Sequence, residues 1–529
     1  MSYLESISPQ LGNLDLLLLA RIIAPVLIVV ATALLLLVVE SIARAVRGKA
    51  GLGLKSSVTI TLVGAVLAAL AALYSWAFLS GSEGRSVIQL FSAQGPPRGS
   101  VQGAAPTWSG GALVIDHFAV FVTILVTGIL ILASLNLMAY LSKRGLYRSE
   151  LFPLILLSAS GIMLLGMSRD LLITFIAIEI VSLPLYVLCG LDDRNQAGKE
   201  ASLKYFLLGA FASGFFIYGA ALVYGAAGNL NYAAIAHFAL SAIEQSTILL
   251  VGCALVAMGL AFKLALVPLH AWVPDVYQGA PTPITGFMAT GVKLGVFAAA
   301  MRLVIEVFTR MDPAAWQTGI AVLAALTMII GNLLAIHQMS AKRLLAYSAI
   351  AHSGYLAVGL ASGVPTMSTS IMVYLVSYCL AALGAFMLIS YLSPKGQDDI
   401  YIDEMHELSK RAPVSAMAFT ILLLSMAGFP LTLGFIGKLM VFTDAWRGGL
   451  YGLVILAVLM SVVSVYYYLR FVIAMYMQPR APGAAELKPP RMPGSYVIAG
   501  IITVGLTLLF GVLPYALISW AQQCGLGGL

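Results

Sequence analysis

Residues 256–272 read VAMGLAFKLALVPLHAW, and this stretch decides how the chain must fold. It is apolar over about five helical turns, yet it carries Lys263 near its middle and Pro268 five residues later. A lysine at the centre of a bilayer-spanning helix costs about 2.5–3.5 kcal/mol on insertion scales. A proline frees a backbone carbonyl, which survives inside a membrane only where protein or water binds it. The stretch therefore predicts a broken transmembrane helix whose lysine faces the protein interior.

The rest of the composition extends this interpretation to the whole chain. Its 529 residues are 60% hydrophobic and 10% charged, with a mean hydropathy of +0.97, whereas soluble domains carry about 25% charged residues. Apolar stretches recur from end to end, and at ~20 residues per spanning helix the chain has room for roughly fourteen. We therefore expect an all-α membrane protein. The first apolar run is too long for a cleavable signal peptide and no basic segment precedes it.

Fourteen spans are predicted, and they group into four segments. The spans are residues 16–40, 56–80, 111–138, 151–168, 170–190, 199–225, 246–270, 280–304, 316–337, 342–362, 367–392, 413–445, 449–478 and 494–521. Residues 1–150 hold spans one to three with their loops, and 494–529 hold span fourteen. Segments 151–304 and 316–478 read as two five-helix repeats, with proline-broken helices at equivalent positions seven and twelve. An odd repeat length inverts the topology, as in many transporters built from repeats.

The net charge of +7 reports topology and not a nucleic-acid surface, because the basic residues stand at the ends of apolar runs. With fourteen spans, seventeen Lys and Arg residues fall in odd-numbered loops and six in even-numbered ones. Cytoplasmic loops are enriched in Lys and Arg. We therefore expect a multi-pass membrane protein with both termini outside. The loops at 81–110 and 393–412 are predicted to lie outside the membrane, the second being acidic.

Four further charged residues fall inside apolar spans. Glu179 lies in LLITFIAIEIVSLPLY, Lys204 in ASLKYFLLGAFASG, Lys293 in FMATGVKLGVFAAA, and Lys438 in AGFPLTLGFIGKLMVF, eight residues after Pro430. With Lys263 they cost on the order of 10 kcal/mol, so pairing, internal water or burial in a bundle must offset them. A structural ion pair or snorkelling explains a single lysine, and Lys204 near a span end is the clearest such case. One glutamate cannot neutralise four lysines, so the set predicts a proton relay in which Glu179 pairs with Lys204.

Histidines are the other candidates for carrying protons, since they titrate near neutrality. His270 lies at the end of the broken span seven, and we favour a relay role for it. For His337 and His352, which flank the KRLLAYS segment, a relay role and a structural role both remain open. Asp275, in VPDVYQGAPTP, is interpreted as part of a cap and turn before span eight. Asp116 and His117 are expected at the membrane interface.

Chemistry other than proton handling has no sequence signal. The four cysteines, Cys189, Cys253, Cys379 and Cys524, are scattered without metal-ligand spacing. No Walker A or dinucleotide-binding pattern occurs. We therefore expect no metal or cofactor in this chain.

Three motifs carry a resemblance to a known family. AFKLALVPLHAWVPDVYQGAPTP (261–283), KRLLAYSAIAHSGY (342–355) and AGFPLTLGFIGKLMVF (427–442) resemble the antiporter-like subunits of respiratory complex I. The resemblance is clearest over residues 110–480. It implies a proton-translocating subunit of an NADH:quinone oxidoreductase, with Glu179, Lys204, Lys263, Lys293 and Lys438 as its central polar axis. The QGAPTP wording and a lysine at 438 are similar to one of the three branches of the family.

The same resemblance implies partners and leaves alternatives. The partners would be other membrane subunits, an antiporter-like M-type subunit and small K-, J- and A-type subunits, together with membrane lipid. NAD, flavin, iron–sulfur clusters and quinone would belong to partner subunits. A subunit of a multi-subunit cation/proton antiporter and a hydrogenase-type membrane complex share the lysine pattern and remain alternatives. A structural scaffold without transport is a further alternative, against which the five buried charges count.

Overall fold

The computed structural model describes residues 16–47, 51–81, 87–92, 111–241, 247–394, 397–480 and 492–526. Helices make up nearly all of this part. They are α1 (Leu16–Arg47), α2 (Leu54–Gly81), α3 (His117–Arg144), α4 (Leu151–Met167), α5 (Leu171–Cys189), α6 (Gln196–Ala227), α7 (Tyr232–Ser241), α8 (Thr247–Lys263), α9 (Trp272–Gly279), α10 (Thr282–Phe287), α11 (Lys293–Glu306), α12 (Pro313–Ile336), α13 (Ala341–Ser362), α14 (Met367–Leu392), α15 (Leu408–Arg411), α16 (Pro413–Ala427), α17 (Leu433–Arg447), α18 (Tyr451–Tyr476), α19 (Gly494–Val512) and α20 (Tyr515–Gln523).

Ten helices in the described part are long and apolar enough to cross a membrane, namely α1–α3, α5, α6, α12–α14, α18 and α19. Three shorter apolar helices, α4, α8 and α16, accompany them. The outer helices expose large apolar side chains such as Leu34, Leu70 and Phe211, which suits a hydrocarbon environment. Helices α13 and α14 are buried on almost all sides and form the centre of the bundle. Polar residues on these two helices therefore lie in the protein interior.

A short β-ribbon precedes α3, and it corrects the predicted start of the third span at residue 111. Strands β1 (Val87–Ser92) and β2 (Gly111–Asp116) pair antiparallel, with Val87 opposite Asp116. The helix begins only at His117, because the Asp116 carboxylate accepts a hydrogen bond from the Ala119 amide (2.8 Å) and caps it. Strand β1 falls inside the predicted loop 81–110. Residues 82–86 and 93–110 of that loop lie outside the described residues.

The first helix break lies in the predicted seventh span, and it shortens that span. Helix α8 ends at Lys263, not at residue 270, and α9 resumes at Trp272. Ala265 has φ +60°, a left-handed conformation that costs a residue with a Cβ on the order of 1–3 kcal/mol. The polar groups of the break find partners. The Trp272 indole donates to the Phe262 carbonyl (3.1 Å), and the Val267 amide donates to Thr327 Oγ1 (2.9 Å).

The second break lies between α16 and α17, inside the predicted twelfth span. Gly428 has φ +89° and Leu431 has φ +69°. A Cβ at Gly434 would stand 1.7 Å from the Ser425 carbonyl oxygen, so this position requires glycine. The two half-helices are thereby held close together at their ends.

A third irregularity lies just before Lys293. Residues Met288–Val292 form one π-helical turn between α10 and α11, and the backbone stays helical on both sides of it. π-turns inside helices occur frequently at functional sites. Each of the three central lysines therefore lies at or near a departure from regular α-helix.

Candidate functional site

Lys263 is the last residue of α8 and is 5% exposed. Its ammonium group donates to Ser182 Oγ (2.7 Å) and Tyr186 OH (3.1 Å), both on α5. The rings of Tyr186 and Tyr205 stand 5.3 and 5.5 Å from Nζ, within the range of cation–π attraction. Lys263 is therefore bound by neutral groups.

Glu179 is the acid of this region, and it is associated with a different lysine from the one predicted. It lies on α5 one turn before Ser182, and its charge acts on Lys263. Its carboxylate accepts a hydrogen bond from Ser213 Oγ (2.5 Å) on α6. Glu179 is half-buried.

The predicted pairing of Glu179 with Lys204 is wrong. Lys204 Nζ lies 2.6 Å from Glu200 Oε1 and 2.8 Å from Asp275 Oδ2. Ser213, which binds Glu179, is nine residues along α6 from Lys204, a rise of about 13 Å. The two helices pack as expected, but the two charges lie at different heights. Lys204, with a side chain 40% exposed, belongs to the rim of the bundle.

Asp275 connects Lys204 to the second half of the chain. Its other oxygen, Oδ1, accepts from Arg343 Nη1 (2.9 Å) at the start of α13. The Arg343 guanidinium also donates to the Gln278 side chain (3.0 Å). The sequence interpretation of Asp275 as a turn residue missed this ion-pair bridge, whose side chains are all about one-third exposed.

Lys293 lies at the centre of the bundle and is 5% exposed. Its ammonium group donates to the Ala349 carbonyl of α13 (2.5 Å) and stands 4.5 Å from the centre of the Tyr378 ring. No hydrogen bond or ring contact among the described residues links Lys293 directly to Lys263. The Tyr378 ring, however, contacts both Lys293 and His352.

His352 occupies the space between Lys293 and Lys438. Its ring is 3% exposed and hydrogen-bonds Tyr374 OH through Nδ1 (2.8 Å) and Tyr468 OH through Nε2 (3.2 Å). The Tyr378 ring, which contacts Lys293, lies 5.0 Å from the His352 ring. The charges of both lysines act on His352. Its position near the middle of a predicted span was the available signal that this histidine faces the interior.

Lys438 is 4% exposed and lies on α17, just after the second break. Its ammonium group donates to the Ala427 carbonyl, at the end of α16 (2.8 Å), and to Ser461 Oγ (2.9 Å). The Tyr355 ring lies 4.8 Å from Nζ. A small cavity with about 10 Å³ of room for the centre of a water molecule lies between Lys438 and His352, enough for about one water.

The other two candidate histidines are placed differently. His270 is half-buried beyond the first break, and its Nδ1 has no hydrogen-bond partner among the described residues. No hydrogen bond in that part of the chain joins it to Lys263. His337 is exposed at the end of α12. The relay role favoured for His270 stays a prediction, whereas the geometry makes His352 the central histidine.

Two basic residues near the ends of predicted spans, Arg302 and Lys342, are completely buried. Arg302 forms a bidentate pair with Asp116 (2.7 and 3.0 Å) and also donates to the Gly166 carbonyl (2.8 Å). Asp116 is thus buried in an ion pair, and its expected place at the membrane interface stays a prediction. Lys342 donates to the Ala280 carbonyl (2.6 Å) and lies 3.5 Å from Asp398. Both lie close to helix ends, where sequence alone does not separate loop from interior.

Metal ligands do not gather in the part of the chain that the structure describes, where no group of three or more His, Cys, Asp or Glu residues could hold an ion. All four cysteines are buried and free. The arrangement of the site is thus a set of buried ammonium groups bound by hydroxyls, carbonyls and aromatic faces. Such groups can give up and regain a proton because no fixed counter-charge holds the charged form.

Comparison with known proteins identifies the family. Residues 168–464 match the family described as NADH:quinone oxidoreductase/Mrp antiporter, TM. This chain belongs to that family. Its relatives include NADH-quinone oxidoreductase subunit N of Trichlorobacter lovleyi, 40% identical over 416 residues that cover 78% of this chain and 84% of the relative. Subunit N 1 of Sorangium cellulosum is 41% identical over 76% of this chain and 81% of its own length. Subunit N is the branch that the QGAPTP wording and Lys438 indicated.

Solved structures agree with this family. A chain of respiratory complex I from Thermus thermophilus with bound aureothin matches with a TM-score of 0.74 and 33% identity, over 94% of this chain and 98% of that chain. A chain of the archaeal membrane-bound sulfane sulfur reductase has a TM-score of 0.78 at 27% identity, over 96% and 97%. A chain of the Mrp complex from Dietzia has a TM-score of 0.79 at 22% identity, over 95% and 96%, and this last match shows the fold alone.

Proposed function

We propose that this chain is the N-type, proton-translocating membrane subunit of an NADH:quinone oxidoreductase, in a bacterial inner membrane. The observation that carries the proposal is the set of three buried lysines, Lys263, Lys293 and Lys438, whose ammonium groups have neutral hydrogen-bond partners. Sequence identity of about 40% to proteins named subunit N favours this function over a cation/proton antiporter, whose Mrp match has 22% identity. Electron transfer takes place in partner subunits, and this chain moves protons.

We further propose a fourteen-span arrangement with two inverted five-helix repeats, 151–304 and 316–478, and with both termini outside. Ten long apolar helices account for most of these crossings, and the interrupted segments α8–α9, α10–α11 and α16–α17, with α4, account for the others. In this arrangement the neighbours are lipid and other membrane subunits, including an M-type antiporter-like chain and small K-, J- and A-type chains.

The proposed path uses the charged residues in order. Lys204, at the rim beside Asp275, takes up protons from the cytoplasmic side. Glu179 and Lys263 form the first internal station, because Lys263 is bound at Ser182, which lies three residues after Glu179 on α5. Lys293, His352 and Lys438 form the second station. Each station exchanges protons because desolvation opposes a permanently charged ammonium group.

The test is proton pumping in inverted membrane vesicles from cells whose complex carries Lys263→Met, measured together with NADH:quinone electron transfer and complex assembly. Methionine keeps the volume of the side chain, so the packing is largely retained. We expect pumping to be lost in an assembled complex. The control is Lys410→Ala, which removes an exposed lysine paired with Glu407. Normal pumping by an assembled Lys263→Met complex would leave the buried lysines as structural residues and favour the scaffold function.

A further inference from the structure

Asp444 is a buried acid that the path above does not use. It lies on α17, six residues after Lys438, and is 2% exposed. One carboxylate oxygen accepts a hydrogen bond from Thr366 Oγ1 (2.7 Å). The other, Oδ2, is buried and has no hydrogen-bond partner among the described residues. No Lys, Arg or His in that part of the chain forms an ion pair with it.

Other buried acids at this end of the molecule are held by arginines. Asp116 forms a bidentate pair with Arg302, and Glu306 lies 2.5 Å from Arg169 and 3.7 Å from Arg302. Both acids therefore have an arginine as a direct partner, and breaking such a buried ion pair is costly. Asp444 differs from them in having only a neutral donor.

A large cavity connects this region to the outside of the molecule. Its volume is about 680 Å³, and Arg169, Glu306, Val364, Pro365 and Met367 are among the residues that line it. Thr366, the hydrogen-bond partner of Asp444, lies in the chain between two of those lining residues. Asp444 is therefore separated from the cavity by about one side chain.

The position also has a purely structural interpretation. Asp444 lies beside Thr366, the N-cap of α14, and a helix N-terminus stabilises a nearby carboxylate. A capping acid, however, accepts hydrogen bonds from the first free amides of the helix. Oδ2 accepts none. The structural role thus explains one oxygen and leaves the other unused.

We propose that Asp444 is the proton-releasing group of this subunit. A proton leaves the Lys438 ammonium group, is taken up by the Asp444 carboxylate, and passes beside Thr366 into the cavity lined by Glu306 and Arg169. Asp444 lies six residues beyond Lys438 on the same helix, a rise of about 9 Å. The proton transfer between them therefore runs through intervening water. This proposal rests on the proposed function, because it needs a proton to reach Lys438.

The experiment compares pumping by complexes that carry Asp444→Asn, Asp444→Glu and Asp312→Asn, in the vesicle assay with Lys263→Met alongside. Asp312 is an exposed acid that caps α12, and asparagine caps equally well. We expect Asp444→Asn to lower pumping at least about tenfold, since a positioned proton-transfer group contributes 10²–10⁴ in rate. Asp444→Glu should retain much of the pumping, and Asp312→Asn all of it.

The outcomes separate the two proposals. Normal pumping by Asp444→Asn, with pumping lost in Lys263→Met, overturns the role of Asp444 and leaves the proposed function standing. Normal pumping by both variants contradicts the proposed function itself. If Asp444→Asn does not assemble, labelling of the unmodified complex with a hydrophobic carbodiimide decides, because this reagent modifies protonated carboxyl groups. Label on Asp444, and not on Asp116 or Glu306, supports the proposal; its absence from Asp444 contradicts it.

Discussion

The two helix breaks place their lysines in opposite relations to the backbone. At the first break, Lys263 ends α8, and its ammonium group reaches away to hydroxyls on α5. At the second break, Lys438 lies on the following helix, α17, and its ammonium group donates back to the Ala427 carbonyl that ends α16. The first break is closed by other groups, the Trp272 indole and the Thr327 hydroxyl, whereas the lysine itself closes the second.

A similar pattern of lysine and proline can therefore serve two purposes. A cation at a helix C-terminus stabilises the free carbonyls there, so Lys438 combines a structural role with its charge. Lys263, although it ends α8, donates to hydroxyls of α5 and not to a carbonyl, and Glu179 lies one turn from its partner Ser182 on that helix. Lys438 has no acid among its direct partners. The first break is thus suited to exchange of a proton with an acid, and the second to holding the two half-helices together.

The largest effect that separates the breaks should be on stability. Lys438→Met leaves the buried Ala427 carbonyl with Ser461 Oγ at 3.5 Å as its remaining side-chain donor, and an unsatisfied buried acceptor costs about 1–3 kcal/mol. Lys263→Met leaves two hydroxyls that can turn to other acceptors. We expect the Lys438→Met complex to dissociate or unfold at a lower temperature than the Lys263→Met complex, measured by thermal denaturation in detergent. Equal melting temperatures would contradict the structural role of Lys438.

The next effect concerns which lysine interacts with Glu179. Glu179 lies one turn from the Ser182 that binds Lys263, and its own partner Ser213 stands about 13 Å along α6 from Lys204. We therefore expect Glu179→Gln and Lys263→Met to be non-additive. Groups in one network show coupling of about 0.5–3 kcal/mol, and distant groups add independently. Glu179→Gln and Lys204→Gln should therefore be additive. The measurement is a pair of double-mutant cycles on the thermal stability of the assembled complex, since Lys263→Met leaves no pumping to compare, and coupling of Glu179 to Lys204 instead would restore the pairing predicted from sequence.

These two experiments also mark where sequence reasoning succeeded and where it stopped. Most predicted helix ends lie within a few residues of those observed, because long apolar runs set them, whereas the start of span three and the end of span seven differ by six and seven residues. The burial of Lys263, Lys293 and Lys438 agreed as well, since each stands in the middle of such a run. The sequence did not predict which groups these side chains contact. A contact between two helices depends on their relative height, and no periodicity within one helix records that height.

The same limit explains the residues that the sequence left out. Arg302 and Lys342 lie near the ends of predicted spans, where the sequence does not distinguish loop from interior, and both are completely buried. Asp444 stood near the end of a predicted span, and its burial depends on Thr366 from another helix. His352 was left open between two roles, and only the convergence of Tyr374, Tyr468 and two lysines on its ring distinguishes them. Contacts between helices, and not residues within one, determine each of these cases.

The smallest expected effect tests how the first break is closed without its lysine. Thr327 Oγ1 accepts from the buried Val267 amide (2.9 Å) and itself donates to the Leu323 carbonyl (2.5 Å). Thr327→Val removes the acceptor at nearly constant volume. We expect the protein to lose about 1 kcal/mol of stability while pumping stays close to normal. Thermal denaturation and the vesicle assay measure the two quantities. Thr59→Val is the matched control, because it removes an exposed hydroxyl that donates to the Lys55 carbonyl within its own helix. Loss of pumping in an assembled Thr327→Val complex would mean that closing the first break cannot be separated from proton movement at Lys263. The contrast with Lys438 would then disappear.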